Sequence, residues 1–138
     1  MTEARPYGCL LASGRGNHLS PGWAEGLSGW LEPNGIAVHR ASSGRQAIEI
    51  VERGQAQLAV VGMDLPRMDG LSVLRIIRSI DRQLPCVLVA GQPSGHLFQQ
   101  ALELEAYSVI AEPVDAGLLV ELVARIYRKF YDREFPAQ

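Results

Sequence analysis

The sequence predicts an α/β protein: five short strands alternating with five helices, a (βα)5 doubly wound sheet of parallel strands. Three observations carry this reading. Short runs such as Leu58-Ala59-Val60-Val61 and Cys86-Val87-Leu88-Val89-Ala90 contain no charged residue. Strands that are apolar on both faces belong in the middle of a parallel sheet. Between such runs lie longer segments whose apolar residues recur at helical spacing, and capping and turn-forming residues stand at the junctions.

In chain order, Gly8–Ala12 reads as the first strand, followed by the loop Ser13-Gly14-Arg15-Gly16-Asn17-His18-Leu19. Ser20-Pro21 is a helix start, with Ser as cap and Pro at the first helical position. Trp23, Leu27, Trp30 and Leu31 form that helix's apolar face, and Pro33-Asn34-Gly35 stops it. Ile36–Ala41 is the second strand. Ser42 or Ser43 caps the next helix, whose inner face is Ala47, Ile48 and Val51. After the third strand, Asp69-Gly70 opens a helix with Leu71, Val73, Leu74 and Ile77 inward. The fourth strand leads to a helix over His96–Ala106 with Leu97, Ala101 and Leu104 inward. Tyr107–Ala111 is the fifth strand, and a last helix runs from Asp115 to about Tyr131.

The chain has 138 residues, of which 47% are hydrophobic and 20% charged, with a net charge of −2. That suits one globular domain spanning residues 1–138, with a core of about 7–131 and short tails. The charge balance supplies no general attraction for nucleic acid or an anionic membrane. No apolar run is long enough to span a bilayer, and Met1–Pro6 lacks a signal-peptide stretch, so a cytoplasmic location is expected. Cys9 and Cys86 sit inside apolar strands and read as small buried hydrophobes. His18, His39 and His96 are dispersed, with no metal-ligand spacing, so neither metal nor cofactor is expected.

Leu65-Pro66-Arg67-Met68-Asp69-Gly70, after an apolar strand and before a helix, resembles the loop that follows the phosphoacceptor in response-regulator receiver domains. Glu112-Pro113 after the fifth strand resembles that family's Lys-Pro junction. The resemblance runs from Leu10 to about Tyr127 and implies the flavodoxin-like strand order 2-1-3-4-5. It also implies a cis Glu112-Pro113 bond.

What it implies about chemistry, this chain departs from. The family sets a phosphoacceptor carboxylate at the end of the third strand; counting back from Pro66, that position holds Gly62. The acidic pair that helps hold Mg2+ is replaced by Ala12 and Ser13. The hydroxyl after the fourth strand is replaced by Ala90, the lysine after the fifth by Glu112, and the aromatic switch residue by Val109. Glycine and alanine offer no oxygen to a phosphoryl group or a metal. Asp64 and Asp69 remain nearby as substitutes, although Asp69 is explained by capping the following helix.

The expectation is therefore a non-enzymatic, phosphorylation-independent module of a two-component or phosphorelay pathway. It would act by binding a protein partner or a second copy of itself, and neither nucleic acid nor membrane. By resemblance the docking face is helix four, strand five and helix five, with Tyr107, Val109, Leu118, Leu122, Tyr127 and Tyr131 as candidate contacts. Leu119, Val123, Ile126 and Phe130 form the last helix's inward stripe. The aromatic surplus towards Phe135, mingled with Arg125, Arg128, Lys129 and Arg133, would need cover from the domain or a partner. The alternative reading is a nucleotide- or anion-binding regulator using Gly14, Arg15 and Gly16. That loop lacks the third glycine of a dinucleotide fingerprint, and a solvated glycine turn with Arg15 in water is the favoured explanation. Glu112 is expected in solvent or paired with an arginine such as Arg15.

Overall fold

A computed structural model describes residues 7–14 and 22–135. Five parallel strands, β1 (Gly8–Ala12), β2 (Ala37–Ala41), β3 (Leu58–Gly62), β4 (Cys86–Ala90) and β5 (Ser108–Ala111), pair in the order β2-β1-β3-β4-β5. They alternate with α1 (Trp23–Leu31), α2 (Gly44–Glu52), α3 (Gly70–Ile80), α4 (Gly95–Glu103) and α5 (Ala116–Tyr131). Every residue of β1, β3 and β4 is buried, as their uninterrupted apolar runs require of central strands. β5, at the edge, is only partly covered.

The two-residue period of the strands divides the core between two helical layers. Leu10, Ala12, Ala59, Val61, Cys86 and Leu88 face α2, α3 and α4. Cys9, Leu11, Leu58, Val60, Val87 and Val89 face α1 and α5.

The helix starts follow the capping residues. Ser43, Asp69, Ser94 and Asp115 each accept a hydrogen bond from the backbone N–H three residues on. Such a bond satisfies one of the donors that a helix leaves open at its first turn. Of the two serines before α2, Ser43 is the cap. α1 is different from expectation: it begins at Trp23 behind Gly22, which gives no side-chain cap, and Ser20-Pro21 lies outside the described residues. Its end is as read. A 3-10 turn over Glu32–Asn34 leads to Gly35 at φ 83°, a conformation that glycine adopts without strain.

Several boundaries shift, β5 among them, which begins at Ser108 rather than Tyr107. β2 begins at Ala37, one residue later than expected. α4 ends at Glu103 rather than Ala106, because Glu105 turns to φ 58° and breaks the helical path. Its inward set holds: Ala101 is buried, with Leu97 and Leu104 packed against the same core. Trp23 and Trp30, seven apart on α1, both pack partly buried against the α1/α5 layer.

On α5 the expected stripe holds at Leu119, Val123 and Ile126 and then departs. Phe130 is 45% exposed, whereas Tyr127 has no exposure at all. The helix closes with Tyr127, not Phe130, towards the sheet. Its hydroxyl donates to the carbonyl of Gly8 at 2.9 Å, an acceptor waiting at the start of β1.

Candidate functional site

In a parallel sheet of this kind, the strand ends carry ligand chemistry at their carboxyl side. There the structure brings together the positions singled out in the sequence. Gly62 ends β3, Ala12 and Ser13 end β1, Ala90 ends β4, and Glu112 follows β5. In-register pairing sets Ala12 beside Val61, and Ala90 beside Ala111. A cleft of about 660 Å³ opens over these ends, lined by Ser13, Gly14, Trp23, Gly62, Asp64 and Glu112 among others.

The chemistry of this cleft is sparse. Gly62 is buried. A Cβ built on it would stand 3.4 Å from the Ala12 carbonyl oxygen and 3.6 Å from Cζ2 of Trp23. Ala12 and Ala90 are buried and offer only methyl groups. Glu112 is exposed, as expected, with a carboxylate oxygen 3.7 Å from where a Cβ on Gly91 would be. The Glu112-Pro113 bond is cis. Asp64 is exposed, and its carbonyl oxygen lies so close to Gly14 that no side chain fits there. Asp69 spends its carboxylate on the N–H of Ser72 at 2.8 Å. Three carboxylates, Glu25, Asp64 and Glu112, line the cleft, and no basic side chain does among the described residues. Arg15 and Gly16, named with Gly14 as an anion site, lie outside the described residues, as does His18. No group of three or more His, Cys, Asp and Glu among the described residues is placed to hold a metal ion.

Against this geometry, residues 20–124 match the family model described as the response regulator receiver domain. The chain belongs to that family. Among curated relatives, it is 32% identical to the C4-dicarboxylate transport transcriptional regulatory protein DctD of Rhizobium meliloti over 72% of this chain and 22% of that protein. It is 28% identical to sporulation initiation phosphotransferase F of Bacillus subtilis over 66% of this chain and 73% of that protein. The response regulator MprA of Mycobacterium leprae is 33% identical over 74% of this chain and 43% of its own length. The chain thus spans less than half of DctD and of MprA.

Solved receivers share the fold. One is the receiver domain of an HD domain-containing protein from Pseudomonas fluorescens Pf-5, with TM-score 0.79, 23% identity, and coverage of 94% of this chain and 100% of that one. Another is a CheY-like receiver from Methanospirillum hungatei JF-1, with TM-score 0.77, 20% identity, and coverage of 89% and 94%.

The second surface to place in this receiver is the one formed by α4, β5 and α5. Leu118 is 64% exposed and fits a docking role; Tyr107, Val109, Leu122 and Tyr131 are half-buried. Tyr127 does not fit, since burial leaves it no surface to offer. Phe98 and Leu102, inside the stretch of about 97–105 expected to dock but not singled out there, stand 47% and 73% exposed on α4. Their spacing of four on a helix that buries Ala101 would have revealed them.

The aromatic tail covers itself. Phe135 packs on Trp30 with ring centroids 5.0 Å apart. Arg133 donates to the Asn34 carbonyl at 2.7 Å and stacks over Phe135. The hydroxyl of Tyr131 donates to the Gln57 carbonyl at 2.6 Å. The uncovered surface expected at the end of α5 is thereby reduced to Phe130, and Pro136 lies outside the described residues. Lys129 sits over the rings of Tyr107 and Phe130, 5.6 and 5.7 Å from their centroids.

Cys9 and Cys86 are free and buried. Burial pushes both thiols up to about 12, so neither is a nucleophile near neutral pH. No helix among the described residues is long and apolar enough to cross a membrane.

Proposed function

We propose that this receiver works without phosphorylation, as a protein-docking module in a two-component or phosphorelay pathway. The observation that carries the reading is Gly62 at the end of β3, where the family resemblance sets the phosphoacceptor carboxylate. A glycine forms no acyl phosphate. The positions that would hold Mg2+ or read out the phosphoryl group carry Ala12, Ser13, Ala90 and Glu112. Ala12 and Ala90 have no side-chain oxygen, Ser13 has a neutral hydroxyl in place of a carboxylate, and Glu112 reverses the charge of the lysine.

Docking through α4, β5 and α5 is supported by Phe98, Leu102, Leu118 and Phe130, large apolar side chains left in solvent on the two helices beside the edge strand. Large apolar side chains left in solvent are what a protein partner would cover. The partner is a protein, and a second copy of this chain is an outcome to be tested. The anion-binding alternative is disfavoured by Asp64 and Glu112 on the described cleft lining, whose charge repels a phosphate; Glu25 there is paired with Arg40 at 3.2 Å.

The test is incubation with Mg2+ and acetyl phosphate, followed by mass analysis. No acyl phosphate is expected. A hydroxylamine-labile phosphate on Asp64 or Asp69 would overturn the reading.

A further inference from the structure

We propose that the seat taken by tail residues 133–135, between the ends of α1 and α5, is a binding groove that the chain's own tail fills as a latch. Its occupant from outside is a partner's peptide segment with an arginine two residues before an aromatic, the chemistry that the latch itself presents. The groove lies where α1 turns into β2, at the opposite end of the sheet from the cleft. It is on the α1 side of α5, away from the surface formed by α4, β5 and α5. The inference rests on neither of those sites.

The seat is held together by residues other than the tail. Asn34 Nδ2 donates to the Trp30 carbonyl at 2.8 Å, and the N–H groups of Gly35 and Ile36 donate to the carbonyls of Glu32 and Leu31 at 3.0 and 3.1 Å. A seat fixed in this way costs little to organise when a segment binds. The tail meets it at two points. Phe135 packs on Trp30 at 5.0 Å between ring centroids and edge-on to Tyr127 at 6.2 Å. Arg133 donates to the Asn34 carbonyl at 2.7 Å, and its guanidinium lies 4.7 Å from the centroid of the Phe135 ring. The chain turns into the latch through Asp132 at φ 54°, a left-handed conformation that a residue with a Cβ adopts at a cost. The latch also leaves one polar group of the groove unanswered. Nε1 of Trp30 is buried and has no hydrogen-bond partner among the described residues. A buried donor left unpaired costs free energy. A segment that lays an aromatic ring on Trp30, gives an arginine to Asn34 and brings a carbonyl or carboxylate oxygen to Nε1 makes the latch's contacts and one more. That difference is what lets it displace the latch.

The probe is a peptide with the sequence of residues 132–138, acetylated at its amino end and titrated into the full chain. In the unmodified protein the latch competes with it, so the apparent affinity falls by the fraction of groove that is open. Phe135→Ala empties the aromatic seat, and the peptide should bind that variant at least about tenfold more tightly than the unmodified chain. A peptide with alanine in place of its phenylalanine should bind the same variant at least about tenfold more weakly, since it lacks the anchor ring. Equal affinity for the two proteins, no saturable binding to Phe135→Ala, or indifference to the peptide's phenylalanine would overturn the proposal.

Trp30 reports on the latch without any peptide. The chain has two tryptophans, so Trp23→Phe leaves Trp30 as the sole indole emitter. In that background Phe135→Ala should raise acrylamide quenching at least about twofold, as uncovering the ring requires. Arg133→Gln, which loses the guanidinium but keeps Phe135, should fall between the two. Cooperative urea unfolding shows that each variant is folded, and quenching left unchanged by both would count against the latch. Leu118→Asp, on the other side of α5, should leave peptide binding within about twofold. Partner docking untouched by Leu118→Asp would sink the α4, β5 and α5 reading and leave the groove standing, whereas failure of the peptide would do the reverse.

Discussion

Arg78 ties the end of α3 to the end of α4: its Nε donates to the carbonyl of Leu104 at 2.8 Å. The same guanidinium donates to Leu84 at 2.7 Å, Glu105 at 3.0 Å and Asp81 at 3.2 Å. Four carbonyls from two chain segments, the loop after α3 and the end of α4, converge on one planar group whose fork of donors suits them. α4 contributes half of the proposed docking surface, and this clamp fixes where its last turn sits against β4 and β5.

Arg78→Ala should therefore lower stability by about 1.5–3 kcal/mol, the range for hydrogen bonds to a charged donor. Urea denaturation reads it. Arg78→Lys should recover less than half of the loss, because an ammonium cannot span the fork. Amide exchange should rise first across residues 101–108. A loss spread evenly over the whole domain would show that the clamp is not local.

Asp69 and Asp64 separate structure from chemistry. Asp69→Ala removes the cap on α3 and should cost about 1 kcal/mol, while Asp69→Asn, which keeps an acceptor oxygen, should cost a few tenths. Asp64→Ala, on an exposed loop residue, should change stability by no more than about 0.5 kcal/mol. Thermal melts of the three variants check the ranking.

The alkaline limit follows from the buried thiols and Tyr131. Burial holds Cys9, Cys86 and Tyr131 protonated to about 12, against ordinary values of 9.0 for a thiol and 10.0 for a phenol. Burial raises Tyr127 as well. These folded-state values lie above the unfolded ones. Their contribution is complete below pH 9 and is lost as pH rises towards 12, because only the unfolded chain releases its protons in that window. Each of the two buried thiols adds a slope of at most about 1.4 kcal/mol per pH unit, and the half-buried Tyr131 less. The urea midpoint should fall from pH 9 upward, and Cys9→Ala with Cys86→Ala should make that fall shallower, though starting from a lower stability. An unchanged slope in the double variant would contradict the assignment.

The sequence made the layers legible because strand alternation and helical spacing are local patterns. Leu10 and Cys9 point to opposite layers by parity alone, and the cap at Asp69 is readable three residues from its donor. The end of α5 was not legible in the same way. Phe130 and Tyr127 are both apolar enough for the stripe, and what selects Tyr127 is the Gly8 carbonyl, 119 residues away in the chain. The residue types at the strand ends were readable in the sequence, whereas the approach of Trp23 to Gly62 was not. Spacing placed Trp23 and Trp30 on one helix face, yet one meets Gly62 and the other Phe135. Cutting after Arg125 would remove Ile126, Tyr127 and Tyr131 from the core and unfold the domain rather than dissociate a pair.

Leu118 and Leu119, adjacent on α5, separate docking from folding. Leu119 is 2% exposed in the α1/α5 layer, and Leu118 is 64% exposed beside the edge strand. Leu119→Ala leaves a cavity and should cost about 2–5 kcal/mol. Leu118→Asp, and likewise Leu102→Asp, removes no packing and should stay within about 0.5 kcal/mol. If these side chains anchor a partner, a charge there must be desolvated on binding and association should weaken at least about tenfold, since anchors near an interface centre carry most of its free energy. Light scattering at high concentration reports on a second copy as partner, and a two-component protein that binds the unmodified chain reports on a heterologous one. The two substitutions should reduce whichever association is seen, with thermal melts unchanged. Association untouched by both, in variants that melt normally, would move the docking surface off α4 and α5.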